Sequence, residues 1–206
     1  SWASIDYFGR WKAAHYASRR FFAPLLLSIE DEREHMNLFV SNDTLEAWSG
    51  QIRWSLETLH GEQLQSGAVD VQVAPQSTTC AQELDFTSQI GEEQRRQTIL
   101  VCELWQDEHV ALAIATFAPN KHLALANPQI GVEVQGDGRQ LTIQLQSRSL
   151  ARFVELALGD ADVIFSDNYF DLPAGRPVRV TCTLPESWSV EQAQQALRVR
   201  SVFDTY

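Results

Sequence analysis

Cysteine is scarce in this chain. Cys80, Cys102 and Cys182 are the only three in 206 residues, with no CxxC pair and no metal-ligand spacing. So sparse and odd a set describes no disulfide framework. Each thiol sits in or beside a strand-like run and is expected to be buried, which points to a reducing compartment. Positive charge is also in short supply: 16 Lys and Arg stand against 27 Asp and Glu, for a net charge of −11. Phosphate backbones and anionic lipid surfaces both need clustered cations, so neither nucleic acid nor membrane is expected as a partner. No apolar run approaches the roughly eighteen residues that a membrane-crossing helix requires. The five histidines form no HxH or HExxH pattern, and there is neither a GxSxG elbow nor a phosphate-cradling glycine loop. No metal site and no cofactor are expected.

The hydrophobic content, 44% with 10% aromatics, is that of a folded protein, and the length suits two units of about 100 residues each. The opening stretch has neither a secretory pattern nor a flexible leader. Five aromatics (Trp2, Tyr7, Phe8, Trp11, Tyr16) fall within its first sixteen residues, and Phe21 and Phe22 follow. From Asp6 to Phe22 the apolar spacing is helical, with Asp6 as N-cap, Arg19 and Arg20 complementing the dipole, and Pro24 as terminator. A helix this aromatic needs a large surface to cover, so the segment reads as the end of a bigger domain.

After Pro24 the period changes to two. Leu25–Ile29, Met36–Val40, Gln51–Leu56, Ala68–Val73, Thr79–Phe86, Thr98–Trp105 and His109–Phe117 are expected strands, separated by polar, Gly-bearing or Pro-bearing turns. The internal boundary falls at Ala118-Pro119-Asn120-Lys121. A second series follows: Ile130–Val134, Gln140–Gln146, Phe153–Leu158, Val163–Phe165, Val178–Leu184 and Leu197–Val202. Its first hairpin carries an Asp137-Gly138 turn. Its one helical insert, from Ser189 to Ala196, opens on a Ser189/Gln192 capping box. Short strands at intervals of eight to twelve residues describe antiparallel sandwiches. The fold class is therefore mainly β: two tandem Ig-like antiparallel β-sandwiches, over 24–118 and 119–206, preceded by one α-helix within 1–23.

The residues then match a known family. The run from Ser1 to Ala13 (SWASIDYFGRWKA), with His15-Tyr16 and Arg19 to Pro24, resembles the junction after the catalytic barrel in β-mannosidases of glycoside hydrolase family 2. Val40-Ser41-Asn42-Asp43 is similar to a stretch of that family's first post-barrel sandwich. Phe117 to Lys121 resembles the link to the last domain, and Phe165 to Leu172 (FSDNYFDL) resembles that Ig-like domain's signature. Leu197 to Ser201 agrees as well. The likeness covers essentially the whole chain in the right order. It implies that the helix is the last of a (β/α)₈ barrel, and that the parent enzyme hydrolyses terminal β-mannosides with retention. Such chemistry uses two carboxylates about 5–5.5 Å apart, here two glutamates on barrel strands that would lie upstream of Ser1. The chain is accordingly expected to be a non-catalytic accessory region, inactive by itself. Its implied partners are the barrel and, through the parent, a β-mannoside or manno-oligosaccharide, with a homodimer left open. Two other readings also stay open: a free-standing carbohydrate-binding module and an Ig-type interaction pair.

Trp2 and Asp6 are the candidate substrate-binding residues, since in the parent they would follow the last barrel strand, at the pocket mouth. Against this, Trp2 could simply pack the barrel end and Asp6 cap the helix. Arg10, Lys12 and His15 read as surface or interdomain contacts. Asp167 to Asp171 offers hard oxygen ligands, but it lacks the spacing and the glycine of a calcium loop and is better read as an Asx turn with Tyr169 and Phe170 packed inward. Of the tryptophans, Trp54 and Trp105 read as core, and Trp48 and Trp188 as the better candidates for an exposed sugar platform.

Overall fold

The computed structural model describes residues 3–205. The chain forms two compact units. One is Phe21–Ala124, and the other joins the N-terminal segment through Arg20 to everything from Leu125 onward.

The Phe21–Ala124 unit is built from β1 (Leu25–Glu32), β2 (His35–Asn42), β3 (Trp48–Thr58), β4 (Gln63–Val73), β5 (Ser77–Asp85), β6 (Thr98–Trp105) and β7 (His109–Thr116). These make a three-stranded sheet in the order β1-β2-β5 and a four-stranded sheet in the order β4-β3-β6-β7, with antiparallel pairing throughout. All seven expected strands are present. Period-two alternation sends Met36, Leu38, Val40 and Asn42 of β2 to the inside, where they meet Ile52, Trp54 and Leu56 of β3 and Leu100, Cys102 and Leu104 of β6. Each such fully buried aliphatic side chain contributes about 1.5–3 kcal/mol relative to exposure.

Gly50 of β3 lies beneath the Trp48 ring. A Cβ there would sit 2.3 Å from the Trp48 ring and 2.4 Å from the Trp105 carbonyl oxygen. The second neighbour is backbone and cannot swing away. Gly50→Ala should therefore cost about 1–3 kcal/mol of stability by overpacking; a melting curve superimposable on that of the parent chain would contradict this.

The second unit holds α1 (Ala13–Phe21, through Arg20), β8 (Gly131–Asp137), β9 (Gln140–Gln146), β10 (Ala151–Leu158), β11 (Phe170–Leu172), β12 (Val178–Thr183), α2 (Val190–Ala196) and β13 (Leu197–Arg200). Its two three-stranded sheets run β12-β9-β8 and β11-β10-β13. Leu141, Ile143 and Leu145 face Val154, Leu156 and Leu158 across the core. The β8–β9 hairpin turns through Gly138-Arg139, with Gly138 at φ +58, a conformation open to glycine without strain. The capping box on α2 forms as expected: Ser189 Oγ accepts from Gln192 N–H, and Gln192 Oε1 accepts from Ser189 N–H at 2.8 Å.

Three expectations are corrected here. Val163–Phe165 makes only a single bridge, Phe165 to Cys182, while the strand in this region is β11, inside the run read as a turn. Cys80 is exposed rather than buried, because it lies on the outward side of β5; Cys102 and Cys182 are buried as expected. The helix starts at Ala13, not after Asp6, because Gly9 takes a left-handed φ of +84 and residues 5–11 close into a turn of their own.

Candidate functional site

The N-terminal turn is held by one carboxylate. Asp6 accepts hydrogen bonds from Phe8 N–H (2.9 Å), Arg10 N–H (3.0 Å) and Arg10 Nε (2.6 Å). Its own N–H donates to the Arg10 carbonyl, and the bridge between Ile5 and Trp11 closes the turn behind it. Desolvation pushes the Asp6 pKa up, but these hydrogen bonds and the Arg10 charge outweigh it and hold the carboxyl below its usual range. Arg10 also reaches to within 3.8 Å of Asp162. Trp2 lies outside the described residues. Asp6 is therefore not the helix N-cap; it staples a turn whose tip presents Tyr7 and Phe8, 95% and 74% exposed.

The aromatic face expected along Tyr7, Trp11 and Phe21 does not form, since Tyr7 and Phe21 are exposed. The surface that α1 covers is the sandwich made from Leu125 onward. Tyr16 is part of that sandwich's core, its ring against Trp11 and Tyr169, and its hydroxyl accepts from Phe165 N–H at 3.2 Å. Burial pushes the Tyr16 pKa up and keeps the hydroxyl protonated. Arg20 donates to the Asp167 carboxylate and to the carbonyls of Asn168 and Tyr169, both at 3.0 Å; Arg19 donates to the Ser166 carbonyl at 2.8 Å.

The receiving turn is itself rigidly built. Buried Asn168 accepts from Leu156 N–H at 2.8 Å and donates to the Leu156 carbonyl at 2.9 Å, standing in for a strand partner of β10. Tyr169 takes a left-handed φ of +55, a strained conformation that surrounding contacts must hold. Asp171 points elsewhere, to Phe153 N–H and Arg152. The Asp167 carboxylate and the Asn168 and Tyr169 carbonyls thus serve Arg20, while the Asn168 side-chain oxygen serves Leu156 and the Asp171 carboxylate serves Phe153 and Arg152. Among the described residues, no group of three or more His, Cys, Asp or Glu could hold a metal. The turn itself is legible in the sequence, but its link to Arg20 is not, since Arg19 and Arg20 read only as complementing the helix dipole. Their partners lie about 147 residues away, beyond any local signal.

The tryptophans also rearrange. Trp48 shares the inward face of β3 with Ile52 and Trp54, and donates from Nε1 to Gln106. Trp105 has the opposite parity to Leu100, Cys102 and Leu104 on β6, so it faces outward, with the Arg53 guanidinium 4.8 Å above its ring. Trp188 packs partly buried against the core of its sandwich. Trp48 therefore offers no sugar platform, and the ring expected in the core is the one on the outer face.

Concavities among the described residues include two of note. A groove of about 530 Å³ runs between β8 and β13 over Ile130, Val132, Val134, Leu197 and Val199, and a smaller one of about 340 Å³ lies over Arg95, Arg96, Phe117 and His122. The first is lined by one carboxylate, Asp204, and the second by one, Glu92. Neither has the opposed pair that glycoside hydrolysis with retention uses.

Comparison with known proteins gives this architecture a family. Residues 34–122 match the Mannosidase Ig/CBM-like domain, and residues 125–205 match the Ig-fold domain of mannosidases. The chain is a tandem of mannosidase Ig-type domains. The resemblance read from the motifs holds along the whole length. β-Mannosidase of Mus musculus is 29% identical over all of the chain, and Beta-mannosidase A of Aspergillus oryzae is 26% identical over 99% of it; the alignment takes in 24% of each relative. The chain thus spans about a quarter of the length of the curated relatives it matches. Among solved structures, the β-D-mannosidase of Dictyoglomus thermophilum superposes with a TM-score of 0.86 over 98% of the chain and 24% of that protein, at 22% identity. The exo-chitosanase CsxA of Amycolatopsis orientalis gives 0.70 over 97% of the chain and 28% of that protein, at 16% identity. At these identities the two likenesses establish the shared fold of the mannosidase Ig tandem.

Proposed function

We propose that this chain is the non-catalytic C-terminal accessory region of a retaining exo-β-mannosidase, buttressing a catalytic barrel that supplies both glutamates. The observation that carries this reading is the alignment itself. The chain matches β-mannosidases from end to end, yet occupies only about a quarter of their length, as two mannosidase-type Ig domains. The segment that includes Trp2 and Asp6 would then stand at the mouth of the barrel's pocket. There Asp6, whose carboxylate already serves Phe8 and Arg10, shapes the turn rather than binding sugar directly.

The test is to assay this chain and the full-length gene product side by side on an aryl β-mannoside. Turnover is expected from the full-length enzyme alone. Release of the aryl group by the isolated chain at enzyme-like rates would overturn the accessory reading. The Ig/CBM-like character of residues 34–122 keeps one other reading in play, a carbohydrate-binding module. Titration with manno-oligosaccharides up to millimolar concentration, without heat or change in Trp fluorescence, would remove it.

A further inference from the structure

Two pieces of chain with a whole sandwich between them in sequence depend on each other. A helix of nine residues is too short to hold by itself in water, where about 12–15 are needed, so α1 takes its order from what it packs on. Its Tyr16 is buried in the core that Val154, Leu156, Phe165 and Val180 build, and its hydroxyl accepts from the Phe165 N–H. Without that ring the core would keep a cavity and the Phe165 N–H would lose its Tyr16 acceptor, so the dependence runs both ways. Arg20 forms a clasp at the end of the helix. One carboxylate and two carbonyls, from Asp167, Asn168 and Tyr169, converge on its guanidinium, a planar fork that Lys cannot reproduce. The turn that supplies them is itself tied to the strands. Asn168 bonds both backbone groups of Leu156 in β10, and the Tyr169 hydroxyl donates to Glu155 at 3.2 Å, which pairs in turn with Arg200 of β13 at 2.7 Å. Through this one turn α1 is joined to both strands.

We infer that residues 3–20 and the sandwich from Leu125 onward are one cooperative folding unit into which the Phe21–Ala124 unit is inserted, and that this last sandwich is the receptor for the end of the catalytic barrel proposed above. The second half of the inference rests on that proposal; the first half does not. An inserted domain that folds by itself leaves the two parts of its host free to meet. The order of synthesis gives the arrangement a consequence. Domains fold as units and the N-terminal ones first, yet Arg20 is made 147 residues ahead of Asp167. Until the last sandwich folds, Trp11 and Tyr16 have no core to enter and the barrel's end stays unfastened. The C-terminal domain is then the completing step of an enzyme whose glutamates lie far upstream of it.

Amide hydrogen exchange on this chain tests the coupling with graded variants: Tyr16→Phe removes only the hydroxyl, Arg20→Met only the clasp, and Tyr16→Ala the ring. Tyr16→Ala should raise the exchange rates of the most protected amides of β9 and β10 by at least about a hundredfold, as loss of a buried aromatic does. Arg20→Met and Tyr16→Phe should raise them by about tenfold. β3 and β6 should keep the parent's rates in all three. In the reverse direction, Val154→Ala in the last sandwich's core should speed exchange of residues 17–20 together with β9 and β10, whereas Leu56→Ala in the other core should not. Residues 17–20 that ignore Val154→Ala, or that follow Leu56→Ala, overturn the inference. In the full-length enzyme, a stop after Ala124 should abolish turnover of an aryl β-mannoside, and Arg20→Met should shorten the half-life on heating several-fold. A truncated enzyme with the parent's activity and half-life overturns the receptor role. A wild-type enzyme inert toward β-mannosides overturns only the function proposed above, because the exchange result stands without it.

Discussion

Asn42→Ala is expected to lower the stability of the Phe21–Ala124 unit by about 2–4 kcal/mol, a large share of what a domain of this size possesses. Asn42 is fully buried at the end of β2, and its amide serves both faces of the junction. Nδ2 donates to the carbonyls of Glu46 (2.8 Å), Ala74 (3.2 Å) and, at the limit, Val73 (3.4 Å); Oδ1 accepts from Thr44 N–H (3.0 Å) and Thr44 Oγ1 (2.7 Å). One side chain thus ties the loop between β2 and β3 to the end of β4. Alanine would remove all of these bonds at once: the Glu46 and Ala74 carbonyls would keep only Thr44 Oγ1 and Ser77 Oγ, Thr44 N–H would lose its side-chain acceptor, and each buried group left unsatisfied costs about 1–3 kcal/mol. Asn42→Asp is the sharper test. It keeps the acceptor for Thr44 but sets a carboxylate against the Glu46 and Ala74 carbonyls, so it should be at least as damaging as alanine. Denaturant titration, followed through the tryptophans of this unit, measures both. An aspartate variant as stable as the parent would show that the donor side of the amide carries no weight.

Asn42 and Asn168 also show how far the sequence could be read. Both lie in the short runs, VSND and FSDNYFDL, that carry the family resemblance. In both places the structure shows a buried amide completing backbone hydrogen bonds that no strand completes. The runs were legible as motifs, but their physics was not. An Asn in a polar run reads as an Asx turn, and only the packed fold reveals that its amide is turned inward. Strands such as β3 and β6 were legible because alternation is a local property. Whether Trp48 or Trp105 faced the core depended on a parity that a lone tryptophan at a strand end does not declare. The Asp6–Arg10 turn was hidden by its own aromatics: Tyr7, Trp11 and Ala14 keep helical spacing, although Gly9, at φ +84, sits between them. The clasp on Arg20 joins two segments that only tertiary structure brings together, so nothing local could announce it.

The largest pH-dependent effect should come from Arg152→Met. Arg152 and Asp171 are 12% and 21% exposed, with Arg152 Nε 3.0 Å from Asp171 Oδ1. Around the carboxylate stand the Arg152 guanidinium, the Phe153 N–H and, farther off, Arg20. Desolvation outweighs all three and raises the Asp171 pKa above its ordinary 3.8. The sign follows from linkage. A carboxyl whose pKa is raised by folding contributes stability that is fully present below the unfolded value and is lost as pH rises through the folded one. Removing Arg152 takes away the main opposing charge, raises that pKa further and enlarges the loss. At neutral pH the variant should therefore be less stable by about 3–5 kcal/mol, the cost of a buried charge left without its partner. Below the ordinary carboxylate range the difference should shrink, because a neutral Asp171 needs no counter-charge. Arg152→Met combined with Asp171→Asn should recover most of the neutral-pH loss, since replacing both members of a buried pair is close to neutral in stability. Chemical denaturation of wild type and both variants at acid and neutral pH decides it. A penalty that is the same at both would mean that Arg152 acts through its packing on the Phe153 ring, 5.0 Å away, and not through charge.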